Sequence, residues 1–308
     1  MKTGIFLSYK GLGANLLHLS YCHQISKKFG PVSLITLNPK LHEVLDDDPS
    51  FNEIIHLDKY HKKFNDILNL SKFFKNLGLK NLFIFYPSLR YFFSSKIAGI
   101  ENVFHYPLFK KKNLHLVKAA KIFTEKSLGI NNCPTESKII IDIKKIQKLK
   151  KNNKKKIIVG MGSSGPTTKW GYENFLSLMK KLRSTSDIYF YLLCGPDDNE
   201  NANTIVKGIG KENCESLSHK SISEIKNYIA MSDLYVGNDT FGHHISSQLD
   251  IPSFIILIDT PRAYSDYSVN QNRIIPPNVN LDDISHDSKF DPNSITVDMV
   301  FEKINKFI

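Results

Sequence analysis

No apolar run in the sequence approaches the ~20 residues that a membrane-spanning helix needs, so nothing in it reads as a transmembrane segment. The N-terminal stretch MKTGIFLSYKG has too short an apolar segment for a signal peptide. The expected location is the cytoplasm, in solution or in peripheral contact with the inner membrane face. Cysteine is scarce. Cys22, Cys133, Cys194 and Cys214 stand far apart, without CxxC or other metal-ligand spacing, and a reducing compartment is the simplest setting for them. Tryptophan occurs once, at position 170. Arg-rich and aromatic-interleaved segments are missing, so a nucleic-acid-binding module would have only net charge in its favour.

What is present is the composition of a globular protein. At roughly 150 residues per domain, 308 residues predict two domains, each able to bury its own core. Lys and Arg number 41 against 30 Asp and Glu, and the net charge of +11 favours anionic partners such as nucleotides, phosphorylated glycans or an acidic membrane surface. Much of the excess is Lys in two runs, Phe109 to Lys112 and Lys144 to Lys156. Both read plainly as solvated surface; membrane contact by the first is the rival reading.

Taken in order, the chain alternates apolar runs with helical periodicity. Strands are expected at Gly4 to Tyr9, Val32 to Leu37, Ile54 to Leu57, Leu82 to Tyr86 and Val103 to Tyr106, with helices after each, the first from Leu16 to Phe29. The polybasic stretch from Lys144 to Lys156 reads as a linker. A second alternating set follows: strands at Ile157 to Met161, Ile188 to Cys194, Leu234 to Val236 and Ser253 to Ile258, and a last helix with Val300 and Ile304 inward. Ser221 and Glu224 form a capping-box pattern before another helix. Such alternation predicts two α/β domains with parallel sheets, 1–150 and 151–308.

Chemistry gathers at strand ends. Asn238, Asp239, Thr240, Gly242 and His244 crowd a turn between a strand and a helix, a setting suited to an anion, although Asp and Thr there are also ordinary caps. Met161 to Gly171, MGSSGPTTKWG, follows the second half's first strand and offers hydroxyls, flexible glycines and Lys169 for a diphosphate, without Walker A order. In CGPDDNEN, Asn199 or Glu200 could hydrogen-bond a ribose, or simply complement a helix dipole. The loop from Lys10 to Asn15 carries no carboxylate and lacks GxGxxG spacing.

TTKWG, GNDTFGHH with His244 five residues after Asp239, and GLGANLLHLSYCHQI together resemble the family 9 glycosyltransferases, whose best-known members are ADP-heptose:lipopolysaccharide heptosyltransferases. The likeness extends over nearly the whole chain, including LFIFYPSLRYFFSSKIAG around Arg90. It implies a GT-B fold, two Rossmann-like domains facing a central cleft, the first for the acceptor and the second for the sugar nucleotide. It also implies inverting, metal-independent transfer without a cofactor. Donor-binding positions then fall on Thr167, Thr168, Lys169, Asp239, Thr240 and His244, with Phe241 and Gly242 in the same turn; Asn199 or Glu200 is the ribose candidate read from the residues themselves. Acceptor positions fall on Gly13, Asn15, His18 and Arg90. The implied partners are a nucleotide sugar such as ADP-heptose and a glycan or lipid-linked acceptor, and no nucleic acid.

Three positions depart from the family pattern. Phe241 stands where Gly usually follows the Thr, and Gly171 replaces the usual Pro. Most consequentially, Ala14 occupies the place of the catalytic Asp, and Ala cannot take a proton from an acceptor hydroxyl. His18 is a substitute only if it is not a structural histidine. Two readings follow: a glycosyltransferase whose base comes from elsewhere or is lost, by nature or by engineering, and a sugar-nucleotide-binding protein without turnover.

Overall fold

The computed structural model describes residues 2–59, 66–107, 115–147, 153–163 and 168–308; Thr167 and the run from Phe109 to Lys112 lie outside them. The chain divides into two units, Met1–Ile140 and Ile141–Ile308.

The first unit runs β1 (Thr3–Leu7), α1 (Leu12–Leu16), α2 (Leu19–Phe29), β2 (Val32–Thr36), α3 (Leu41–Leu45), β3 (Phe51–His56), α4 (Ile67–Asn76), β4 (Asn81–Ile84), α5 (Leu89–Ile97), β5 (Asn102–His105) and α6 (Leu116–Leu128). Its five strands are all parallel in the order β3-β2-β1-β4-β5. The central strands are continuous apolar runs because helices cover both faces of a parallel sheet. Phe6, Ile35, Leu82 and Ile84 accordingly pack with Leu70, Phe74 and Tyr91 from the helices.

The helix expected from Leu16 to Phe29 is broken between α1 and α2. His18 Nδ1 hydrogen-bonds the Ala14 carbonyl at 2.6 Å, while the His18 N–H turns to Asn15 O at 3.0 Å. The ring therefore occupies the carbonyl that a continuing helix would offer to the backbone N–H of residue 18.

The second unit runs α7 (Ile143–Gln147), β6 (Lys155–Gly160), α8 (Tyr172–Arg183), β7 (Ile188–Leu193), α9 (Asn199–Ile209), β8 (Cys214–Ser216), α10 (Ile222–Ala230), β9 (Leu234–Asn238), α11 (Phe241–Ser247), β10 (Ser253–Ile256), β11 (Gln271–Ile274) and α12 (Val297–Ile304). Its strands are parallel in the order β11-β10-β9-β6-β7-β8. Ser221 and Glu224 do form a reciprocal capping box on α10, and Val300 and Ile304 are fully buried. The edge strands β8 and β11 were not expected. The first is only three residues long, and the second, Gln-Asn-Arg-Ile, is mostly polar and has no neighbouring strand on one side among the described residues. The division at Ile140 lies upstream of the expected boundary, since residues 143–147 form a helix that contacts α10.

In this sheet β6 is flanked by β7 on one side and β9 on the other, so the chain switches direction across the sheet at the β6–β9 pair. Open parallel sheets leave a crevice outside the carboxyl ends of the strands at such a switch.

Candidate functional site at the strand ends of the second unit

At this switch the two strands approach through glycine. Gly160 and Gly237 are opposite each other, and a Cβ on Gly237 would strike the Gly160 backbone. Beyond Gly237, the Asn238 amide donates to the Met161 carbonyl at 2.6 Å and accepts from the Trp170 N–H at 3.0 Å. The end of β9 is thus tied to both ends of the loop after β6.

The Asp239 turn is largely engaged with its own helix. Thr240 caps α11, its Oγ1 accepting from the Gly242 N–H at 3.1 Å, so the capping role weighed from sequence is present. Asp239 pairs with His243 through Oδ1 and Nε2. His244 is buried with Nδ1 2.8 Å from the Tyr267 hydroxyl, and burial followed by the neighbouring His243 pushes its pKa well below the ordinary value. Gly242 is demanded by close packing, because a Cβ there would meet the side chains of Leu193 and Tyr235. The structure therefore needs its glycine at 242, with Phe241 free to face outward.

The loop that carries Lys169 is fixed by its neighbours. Thr168 donates from N and Oγ1 to Asp259 Oδ2, at 2.6 and 2.7 Å. Trp170 is core: it is 1% exposed, its indole N–H donates to the Ile295 carbonyl at 2.7 Å, and it meets Phe175 edge-on. Gly171 has φ +99°, which proline cannot adopt, and this accounts for glycine at that position. Between them Lys169 extends outward, its ammonium 2.7 and 3.0 Å from the two Asp198 oxygens.

Lys169 lines a pocket of about 340 Å³ at the carboxyl ends of the β6, β7 and β8 strands. One wall is Gly162, Ser163 and Thr240, another is Asp197 and Asp198, and Lys220 supplies a second cation. Pro196, Ile222, Ile225 and Phe241 form an apolar side suited to a flat ring. The Ser163 hydroxyl is buried without a hydrogen-bond partner among the described residues. Two lysines and the Ser163 hydroxyl suit phosphate oxygens, and the Asp197 carboxylate beside an apolar wall suits a nucleoside.

Of the donor positions expected from sequence, Lys169, Thr240 and Phe241 line this pocket. Thr168 sits behind it on Asp259, and Asp239, Gly242 and His244 pack beneath the turn. Asn199 accepts from the Ser218 hydroxyl at 2.9 Å, and Glu200 is exposed; neither lines the pocket, whereas Asp197 and Asp198, just before them, do. Ser218 and Lys220 carried no sequence signal. They follow the three-residue strand β8, and only recognition of that strand would have marked SHK as a strand-end loop.

In the first unit, Gly13 and Ala14 lie half-buried on α1. Asn15 is buried and donates to the Tyr9 and Gly11 carbonyls at 3.0 and 2.7 Å, while accepting from Thr36 Oγ1 at 2.8 Å. His18 is fully buried and stacked on Tyr9, and desolvation lowers its pKa to about 4. Arg90 lies in the first turn of α5 with its guanidinium 5.1 Å from the Tyr91 ring centre.

Asp239, His243 and His244 are the only group among the described residues with ligand atoms close enough to share a metal ion, within 4.8 Å of one another. Their existing bonds to each other and to Tyr267 would have to be given up for it.

The sequence profile of glycosyltransferase family 9 (heptosyltransferase) matches residues 97–281. The chain belongs to this family and is a glycosyltransferase by that membership. Among solved structures it is similar to a family 9 glycosyl transferase from Veillonella parvula (14% identity, 99% of this chain and 97% of that one, TM-score 0.75). It is also similar to ADP-heptose lps heptosyltransferase II from E. coli (14% identity, 100% and 98%, TM-score 0.73). A third is E. coli heptosyltransferase WaaC with ADP (14% identity, 100% of both chains, TM-score 0.72). No curated protein matches the sequence. The two-sheet α/β architecture is that of the GT-B heptosyltransferases, as the resemblance implied.

Proposed function

We propose that this chain is an inverting, metal-independent transferase that moves a sugar, heptose or a related one, from a nucleoside diphosphate to a cell-envelope glycan such as a lipopolysaccharide core. One observation carries the reading: the pocket at the β6–β9 switch combines Lys169, Lys220 and the Ser163 hydroxyl, which has no partner among the described residues, with an apolar wall. ADP-heptose is the expected donor, in keeping with the ADP held by the similar WaaC structure. In transfer, an acceptor oxygen attacks the anomeric carbon as the bond to the diphosphate breaks. Charge develops on the leaving phosphate oxygen, where the lysines are placed to meet it.

The acceptor's proton has no evident taker in the first loop. Ala14 has no titratable group, and His18, buried and held on the Ala14 carbonyl, is poorly placed to serve. This favours, as a second reading, a protein that binds a sugar nucleotide and turns it over slowly or not at all. Calorimetry against ADP, GDP, UDP and CDP tests the site: saturable binding of ADP is expected, and binding of none of the four would overturn it. Transfer from ADP-heptose to cell-envelope extract then separates enzyme from binder.

A further inference from the structure

We propose that Asp259 and Asn238 are positioning residues for Lys169, holding the two residues that flank it in the chain and so aiming its ammonium into the pocket. The role assigned to Lys169 rests on the donor-site reading above. The clamps themselves are plain geometry. Asp259, just past β10, holds Thr168 by N–H and hydroxyl together; Asn238, the last residue of β9, holds the Trp170 N–H and is itself secured on the Met161 carbonyl.

These two anchors come from adjacent strands in register, Ile256 opposite Asn238, so the 168–170 segment is pinned across two strand ends. Thr168 turns to Asp259, Trp170 enters the core, and Lys169 between them is sent the other way, where it meets Asp198. Both anchors are buried, Asp259 at 5% and Asn238 at 1% exposure. The second Asp259 oxygen has no partner among the described residues, so Thr168 is the group that compensates this carboxylate. A buried carboxylate deprived of its donors is costly, which keeps the clamp closed. A lysine on a fixed backbone loses less freedom when a phosphate arrives.

The test is a set of double-mutant cycles. Thr168→Val, Asp259→Asn and Asn238→Ala are each made alone and with Lys169→Ala, and ADP affinity is measured by calorimetry. Each is expected to weaken ADP roughly 5- to 10-fold when Lys169 is present and to have no further effect in the Lys169→Ala background. Equal losses in both backgrounds would show a structural role only and overturn the inference. Thr168→Val leaves both strands untouched, so it remains informative if an anchor variant fails to fold. A second readout needs no nucleotide: the acetylation rate of Lys169 by acetic anhydride, relative to exposed Lys207, should rise several-fold in each single variant. No change there overturns the clamp even if ADP fails to bind, an outcome that would instead count against the donor-site reading.

Discussion

The Lys169 ammonium lies within hydrogen-bond distance of both Asp198 oxygens, so a diphosphate entering this pocket must compete with a carboxylate for its main cation. Lys169→Ala should weaken ADP binding by about 1.5–3 kcal/mol, roughly 10- to 100-fold, through loss of a charge-assisted hydrogen bond. Asp198→Asn should have the opposite sign, since it removes the competitor. Calorimetric titration of both variants checks the pair, and equal weakening by the two would show that Asp198 itself holds the nucleotide.

Ala14→Asp should raise sugar transfer by about 10²- to 10⁴-fold, the usual contribution of a positioned general base. Residue 14 is half-buried in the first turn of α1, where a carboxylate is also tolerated by the helix dipole. Donor affinity should stay the same, because the described residues that line the Lys169 pocket all belong to the second unit. The readout is initial transfer rate with ADP-heptose; full activity in the Ala14 protein and no gain in the variant would refute a missing base.

His18 makes stability depend on pH. Its folded pKa is depressed to about 4 by burial, below the ordinary value of 6.5, so between these pH values the unfolded chain binds a proton that the fold does not. Stability is therefore undiminished by His18 above pH 6.5 and falls by about 3 kcal/mol as pH drops to 4. His18→Gln should flatten that part of the curve. Urea melts at a series of pH values would detect it, and an unchanged slope would place the buried histidine elsewhere.

Chelation should leave ADP binding unaltered. Asp239 and His243 are bonded to each other and His244 to Tyr267, and none of the three lines the Lys169 pocket. A loss of affinity in EDTA that magnesium or zinc restores would contradict metal-independent binding.

Much of this architecture was legible in the sequence because periodicity reports burial. The alternating runs located nine of the eleven strands among the described residues, and the Ser221–Glu224 box and the inward Val300 and Ile304 followed from local rules that tertiary packing did not override. The missed strands β8 and β11 are short sheet edges, where half the burial that makes a strand apolar is absent. The site was legible only in part, for a related reason. Lys169 and Thr240 follow well-marked strands, whereas Lys220 follows the unmarked β8, and Asp259 acts through a residue ninety-one positions away in the chain. Pairings of that separation leave no local pattern. The role of Gly171 was likewise hidden, since a positive φ cannot be told from a flexible turn by composition alone.

Trp170 gives the protein an intrinsic optical label. The chain contains no other tryptophan, and this one adjoins Lys169 while its indole N–H is bound to the carbonyl just ahead of the Thr296 cap of α12. Red-edge excitation therefore isolates emission from a single place, the base of the loop beneath the pocket. Loosening of that loop would admit water to the indole and shift its emission to longer wavelength, so the state of this one segment can be followed in real time without a dye.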